Sequence, residues 1–232
     1  MKKEKFKTKK SLTVISFVVG VVILCQTVSI AENVLLKSKD PIVRMNEIQR
    51  LGNECAKEAV PEIIKLLKDK STGVRVNAVV ALGKIGDERA IKPLKKLLKK
   101  DPSKAVRVMA CQSLGQFNRK EVIKELSEAA DNDDEMISSA AIRALGRIGG
   151  NKAREKLLKK AKETKNKNIR KKAVESLIET PGFGADEQEI NEIERIISNI
   201  KKDEGSKIIA ERAKKKLDRI KKRKKRMKNK YE

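Results

Sequence analysis

Leu51, Leu82, Leu114, Leu145 and Leu177 follow one another at steps of 31, 32, 31 and 32 residues, by subtraction. A period of that length excludes most folds, because it marks one supersecondary unit repeated along a chain. The stretch from Asp69 to Lys100 is one such unit. Its first half carries Val74, Ala78, Leu82 and Ile85 at helical spacing, and its second half carries Ile91, Leu94, Leu97 and Leu98 in the same way. Gly86, Asp87 and Glu88 interrupt the period and predict a short turn between two helices. A lone hairpin of this kind cannot bury both of its apolar faces, so each copy must cover its neighbour.

Other positions recur in the same register. Four residues before the leucines stand Ala78, Ala110, Ala141 and Ala173, and Ala213 precedes Leu217 in the same way. A small residue there lets two helices approach closely. The first copy carries Glu47 instead, as expected of a terminal copy with one side facing solvent. Asp69 with Arg75 and Asp101 with Arg107 are each six residues apart across the turn before the leucine-bearing helix, and Arg44 and Arg170 hold the same arginine register. The carboxylate is expected to cap the following helix. The arginine is expected to reach an acidic residue of a neighbouring copy, giving a ladder along the stack. In the fourth copy Asn132 and Ser138 stand in place of the pair.

The resulting pattern, D-x5-R-x2-A-x3-L-G followed by A-I-x2-L-x2-L-L, resembles HEAT repeats, especially the short variety first associated with phycobilisome lyases. The resemblance covers residues 40–201. It implies an all-α, right-handed α-α superhelix, a HEAT-like solenoid of about five helical hairpins after a leading half-copy from Pro41 to Asn53. Pro61 and Pro93 match the family near the starts of the first helices, where the missing N–H of proline is tolerated. The resemblance also implies that the second helix of each hairpin lines the concave face. The positions pointing away from the alanine-leucine stripe are then Asn46, Gln49 and Asn53; Asn77, Val80 and Lys84; Met109, Gln112 and Gln116; and Ala140, Arg143 and Arg147. This ridge is polar and lacks the aromatic anchors that dominate tight interfaces. Arg143 and Arg147, one helical turn apart, are its candidates for contact with an anionic partner.

The ends of the chain differ from the repeats. Residues 1–31 combine a lysine-rich start, an apolar run from Leu12 to about Cys25, and Ser29-Ile30-Ala31 where a signal peptidase needs small residues. Three readings stay open: a signal peptide cleaved after Ala31, an uncleaved membrane anchor, and a lipoprotein signal resting on Val22-Ile23-Leu24-Cys25, in which Leu24 occupies the place of a small residue. Each puts the solenoid across the cytoplasmic membrane, periplasmic or extracellular, because the positive flank stays inside. After Thr180 the period lengthens, since Leu177 and Leu217 are 40 residues apart by subtraction. Pro181, Gly182 and Gly184 predict a longer loop, and Asp186 is placed to cap the helix that follows it. Residues 202–232 read as a capping helix with a basic tail. There Lys221, Lys222, Arg223, Lys224, Lys225 and Arg226 either end the stack or grip an anionic partner.

Composition limits the chemistry. The 57 Lys and Arg against 32 Asp and Glu give a net charge of +25, so attraction to polyanions is the default. With no histidine there is no imidazole ligand or general base, and the HEAT-like metal hydroxylases, which need His-Glu ligand pairs, are excluded. Cys25, Cys55 and Cys111 form no CxxC, so no zinc site, disulfide or cysteine nucleophile is expected within the repeats. No cofactor is implied. The sequence therefore predicts a non-enzymatic scaffold, exported or membrane-tethered, that binds a protein or an anionic envelope polymer. A nucleic-acid-binding solenoid acting through Lys92 to Lys100, Lys152 to Lys160 and the tail is the alternative. A bilin lyase, the remaining implication of the resemblance, conflicts with the absence of an aromatic pocket.

Overall fold

The computed structural model describes residues 34–180, 187–200 and 207–231. The leader, the loop with Pro181, Gly182, Gly184 and Asp186, and the side chains of Ile200, Arg223 and Met227 lie outside the described residues. Among the described residues, after a helical stretch at 34–36, eleven α-helices follow one another: α1 (Pro41–Asn53), α2 (Val60–Leu66), α3 (Thr72–Ile85), α4 (Ile91–Lys100), α5 (Lys104–Gln116), α6 (Ile123–Ala129), α7 (Glu135–Ile148), α8 (Gly150–Glu163), α9 (Lys167–Glu179), α10 (Glu187–Ile200) and α11 (Lys207–Tyr231). Among the described residues there is no strand. Helix α1 is the leading half-copy, and the other ten pair into five hairpins of a right-handed α-α superhelix.

Local chemistry sets the ends of the helices. Asp40 Oδ1 accepts from the Ile42 N–H at 2.8 Å, with Pro41 opening α1. Asp134 and Asn166 cap α7 and α9 in the same way, each accepting two backbone N–H groups. Helix α3 ends on Gly86 at φ 70°, a left-handed conformation that glycine adopts without a Cβ penalty. Single 3-10 turns lead into α2, α4 and α6. The entry to α8 has none, and Gly149 and Gly150, both at positive φ, turn the chain directly.

The even-numbered helices form one row and the odd-numbered helices another. Successive odd-numbered helices pack on each other along the whole stack, from α1 through α11. The five period leucines are fully buried in this row, as are Ala78, Ala110, Ala141 and Ala173. The closest approach lies at a different position. A Cβ added to Gly52 would stand 2.8 Å from Ala81 Cβ, one on Gly83 2.7 Å from Ser113 Cβ, one on Gly115 2.8 Å from Ala144 Cβ, and one on Gly146 2.8 Å from Ser176 Cβ. Each glycine follows a period leucine, and each partner precedes the leucine of the next copy. Ser113 adds a buried hydrogen bond across the same seam, donating from Oγ to Val79 O at 2.9 Å.

The recurring arginines clamp the turns. Arg44 Nη1 donates to Ser38 O and Lys39 O, Arg75 Nη1 to Asp69 O and Lys70 O, Arg107 Nη1 to Asp101 O and Pro102 O, and Arg170 Nη2 to Thr164 O. Each guanidinium thus satisfies carbonyls left open where one helix ends. Among the described residues, two of the four also bridge copies. Arg44 is bidentate to Asp69 at 2.9 and 3.0 Å, and Arg75 is bidentate to Asp101 at 2.9 and 3.1 Å.

Three expectations require correction. Asp69 and Asp101 are not the helix caps. The N-cap residues are Ser71 and Ser103, and each aspartate, two residues earlier, accepts the serine N–H at 2.8 Å and so folds the turn. Asn132 and Ser138 do not pair. Ser138 Oγ donates to Ala130 O while Asn132 Oδ1 accepts from Asp134 N, because both groups are too short to span the turn as arginine does. Glu47 does not face solvent: it is 5% exposed and holds Arg50 at 2.7 and 3.1 Å.

Gly115→Ala is expected to cost about 1–3 kcal/mol by overpacking the seam. Leu114→Asp, which strands a charge in the core, is expected to cost more. Urea melts of both variants check the order. Arg75→Leu leaves Asp101, 3% exposed, without its partner, so a loss of about 3–5 kcal/mol is expected, with Arg107→Leu costing clearly less. The Arg89 guanidinium holds the Asp87 carboxyl down at about 2, and Lys104 and Lys99 lower those of Asp134 and Glu128. A depressed folded-state pKa contributes stability that is present above the unfolded value of about 4 and is lost as pH falls. The melting temperature is therefore expected to hold above about pH 5 and to decline between about pH 4 and pH 2.

Candidate functional site

The direction of curvature follows from what spaces each row. Glycine against a small side chain brings the odd-numbered helices to near backbone contact, whereas long side chains bridge the even-numbered ones. Lys95 Nζ lies 3.2 Å from Glu125 Oε2 and Lys99 lies 2.8 Å from Glu128, joining α4 to α6. The Lys95 contact is ionic only, since its hydrogen bond goes to Glu121 O at 2.6 Å and leaves Glu125 Oε2 without one. Lys156 and Lys160 of α8 both reach Asp131 at the end of α6, and Lys162 reaches Glu192 of α10 at 3.0 Å. The odd-numbered helices are thus the inner, concave row and the even-numbered helices the outer one.

The ridge predicted from the sequence lies on that inner row. Asn46, Gln49, Asn53, Lys84, Gln116, Arg143 and Arg147 are exposed, and Asn77, Val80, Met109 and Gln112 are half-buried. Ala140 departs from the expectation. It is fully buried, because an alanine between the longer Met109 and Lys172 at the same register cannot reach the surface. The fifth copy, which the sequence reading left off the ridge, continues it with Glu175 and Glu179 at the positions of Arg143 and Arg147. The signal was the leucine register itself, since these residues lie two before and two after Leu177. Lys84 donates to Asn53 Oδ1 at 2.8 Å and Lys172 pairs with Glu175 at 2.6 Å. Arg143 and Arg147 hold no hydrogen bond or ion pair among the described residues.

The basic tail divides by helix face. Ala210, Ala213 and Leu217 of α11 are buried against the stack, Lys221 pairs with Glu194 at 2.6 Å, and Lys224 is half-buried. Lys222, Lys225 and Arg226 are exposed. Opposite the buried face, Arg212, Lys215 and Arg219 continue Lys222 and Arg226 into one outward stripe at steps of three and four residues, about 21 Å long at 1.5 Å per residue. The first three were overlooked because the dense run 221–226 dominates the composition, although their spacing opposite Ala213 and Leu217 marks the same stripe. A groove of about 620 Å³ runs beside Ile208, Arg212, Lys215 and Arg219, open to solvent.

Among the described residues no His, Cys, Asp and Glu group is suited to a metal ion. Burial pushes the Cys111 thiol up to about 12, so it is a packing residue, while Cys55 is exposed and unbridged. Two smaller hollows are each crossed by an ion pair, Lys156 with Asp131 in one and Lys162 with Glu192 in the other. What the surface offers is a long ridge of side chains, suited to contact with a polymer over many residues.

The same fold recurs in solved structures. An engineered protein superposes with a TM-score of 0.54 at 19% identity, covering 82% of this chain and 96% of that chain. An archaeal HEAT-like repeats protein from Thermococcus onnurineus gives 0.53 at 18%, covering 82% and 86%. Computationally designed armadillo repeat proteins for modular peptide recognition give 0.52 at 18%, covering 81% and 98%. No curated protein matches the sequence. The family model described as HEAT repeats matches residues 29–107 and 91–178, a span that takes in all five period leucines. Sequence and fold agree, and the chain belongs to the HEAT-repeat family.

Proposed function

We propose that this protein is a non-enzymatic scaffold whose inner ridge holds an extended segment of a partner protein and whose α11 stripe rests on an anionic polymer or surface. The observation that carries the reading is the ridge itself, which runs across five inner helices and presents amides that both donate and accept. The designed armadillo proteins of the same fold are described as recognising peptides, which supports the choice of an extended segment. Placement outside the cytoplasmic membrane, soluble or tethered, rests on the leader. Among the described residues no helix is long and apolar enough to cross a membrane. A mature chain starting at Glu32 is the signature of export with cleavage.

A nucleic-acid partner is the second reading, favoured by the α11 stripe. The outer lysines support it in part: Lys95, Lys99, Lys156 and Lys160 are engaged by acids of an adjacent copy, whereas Lys92, Lys96, Lys100 and Lys152 stand exposed. That reading requires DNA binding whose affinity falls steeply with salt and is lost on removal of Lys221 to Glu232.

Photo-crosslinking decides between the faces. With a crosslinking residue at Gln49, Gln112 or Gln116, one protein is expected to be captured from native cells, whereas the same residue at Lys96 on the outer row captures none. Capture from Lys96 alone would reject the inner ridge as the docking face.

A further inference from the structure

Elsewhere in the described residues of this solenoid, several opposite charges on successive copies are joined. Arg44 meets Asp69, Arg75 meets Asp101, Lys99 meets Glu128 and Lys162 meets Glu192. The inner ridge breaks that habit. Arg143 and Arg147 stand on α7, Glu175 and Glu179 at the same register on α9, and no ion pair joins the two rows among the described residues. Glu175 is held by Lys172 of its own helix, and Glu179 is exposed. The rows before this step are amide or apolar, and Lys84, the cation among them, is tied to Asn53.

We infer that the step from Arg143 and Arg147 to Glu175 and Glu179 selects an extended protein segment with the opposite charge step, acidic side chains over the arginines and basic ones over the glutamates. This deepens the reading of the ridge as a peptide-docking face and rests on it. Geometry sets the spacing of the motif. Packed helix axes lie about 8–10 Å apart, and an extended chain covers that distance in about three residues at 3.3 Å each. Within a row, groups four residues apart on a helix are neighbours at about 6 Å, so each row accommodates one or two charges. Bidentate contact with a carboxylate favours arginine at the acidic-reading row. The amides of Gln112 and Gln116, on the helix before the arginines, pair with peptide groups regardless of sequence, so the charge step sets register and direction while the amides supply adhesion. A segment bound in the wrong direction places like charges together, which is what discriminates against it.

The test is selection of random 12-residue peptides displayed on phage against the full chain at about 0.1 M salt, where exposed pairs within about 10 Å are still felt. The chosen peptides are expected to carry an acidic and a basic residue about three positions apart, and to bind at least ten-fold more tightly than versions with the two charges exchanged. The quadruple variant R143E/R147E/E175K/E179K, with helicity and melting checked, is expected to prefer the exchanged versions. R143Q/R147Q, a milder change, is expected to lose the acidic preference alone. Enriched peptides without the charge pair, or a preference that survives the quadruple exchange, would overturn the charge-step inference and leave the ridge as a peptide surface. No enrichment by the folded wild-type chain would overturn both.

Discussion

Four of the five steps along the inner row of this solenoid depend on a contact that leaves no room for a further carbon. Gly52, Gly83, Gly115 and Gly146 lie against Ala81, Ser113, Ala144 and Ser176, and a Cβ on any of the four glycines would come within 2.8 Å of its neighbour. Close packing of this kind is felt by changes as small as one carbon. It brings the inner helices together, and everything that faces the concave side takes its spacing from them. The period leucines and alanines fill the layer behind the seam, so burial supplies cohesion while the glycines set the distance.

Charge does the complementary work. The arginine of each clamp satisfies carbonyls at a helix end, and where an aspartate of the next copy is available it also joins copies. Arg75 does both with its partner almost fully buried. Arg107 clamps its own turn only, because Asn132 stands where Asp69 and Asp101 offer a carboxylate to the arginine of the copy before, and Arg170 clamps its own turn through Thr164 O. On the outer row, lysines reach acids one copy away at partly exposed sites, where each pair contributes little individually and is screened by salt. A chain with net charge +25 thus keeps much of its outer basic surface internally engaged, and the excess is concentrated on α11, with fourteen basic residues against Glu211 and Asp218.

The hairpins, their turns and their phase were legible in the sequence because they follow from local periodicity: Leu82, Ile91 and Leu94 fall where helical spacing puts them. The arginine register was legible too, since a fixed interval of six residues across a turn survives translation into space. What escaped was set by contacts between copies. The glycine after each leucine looked like part of a motif, and alanine four residues earlier received the credit for close approach, because nothing in one copy reveals which residue of the next will face it. Ala140 was placed on the ridge by register, yet its exposure depended on the length of Met109 and Lys172 beside it. The outward stripe on α11 was hidden by abundance: in a run of basic residues, composition masks which of them share a face with Arg212 and Arg219.

The two rows of the solenoid differ in stiffness, and that difference has a mechanical consequence. Contact between glycine and a small side chain along the inner row is short and steep, so it resists both compression and shear, whereas lysine-carboxylate bridges along the outer row are long, flexible and weakened by ions. A strip built this way bends by opening and closing its outer seam about a nearly inextensible inner one. The pitch of the side chains along the concave edge therefore stays constant while the molecule flexes, as graduations on a tape measure keep their interval when the tape is curled.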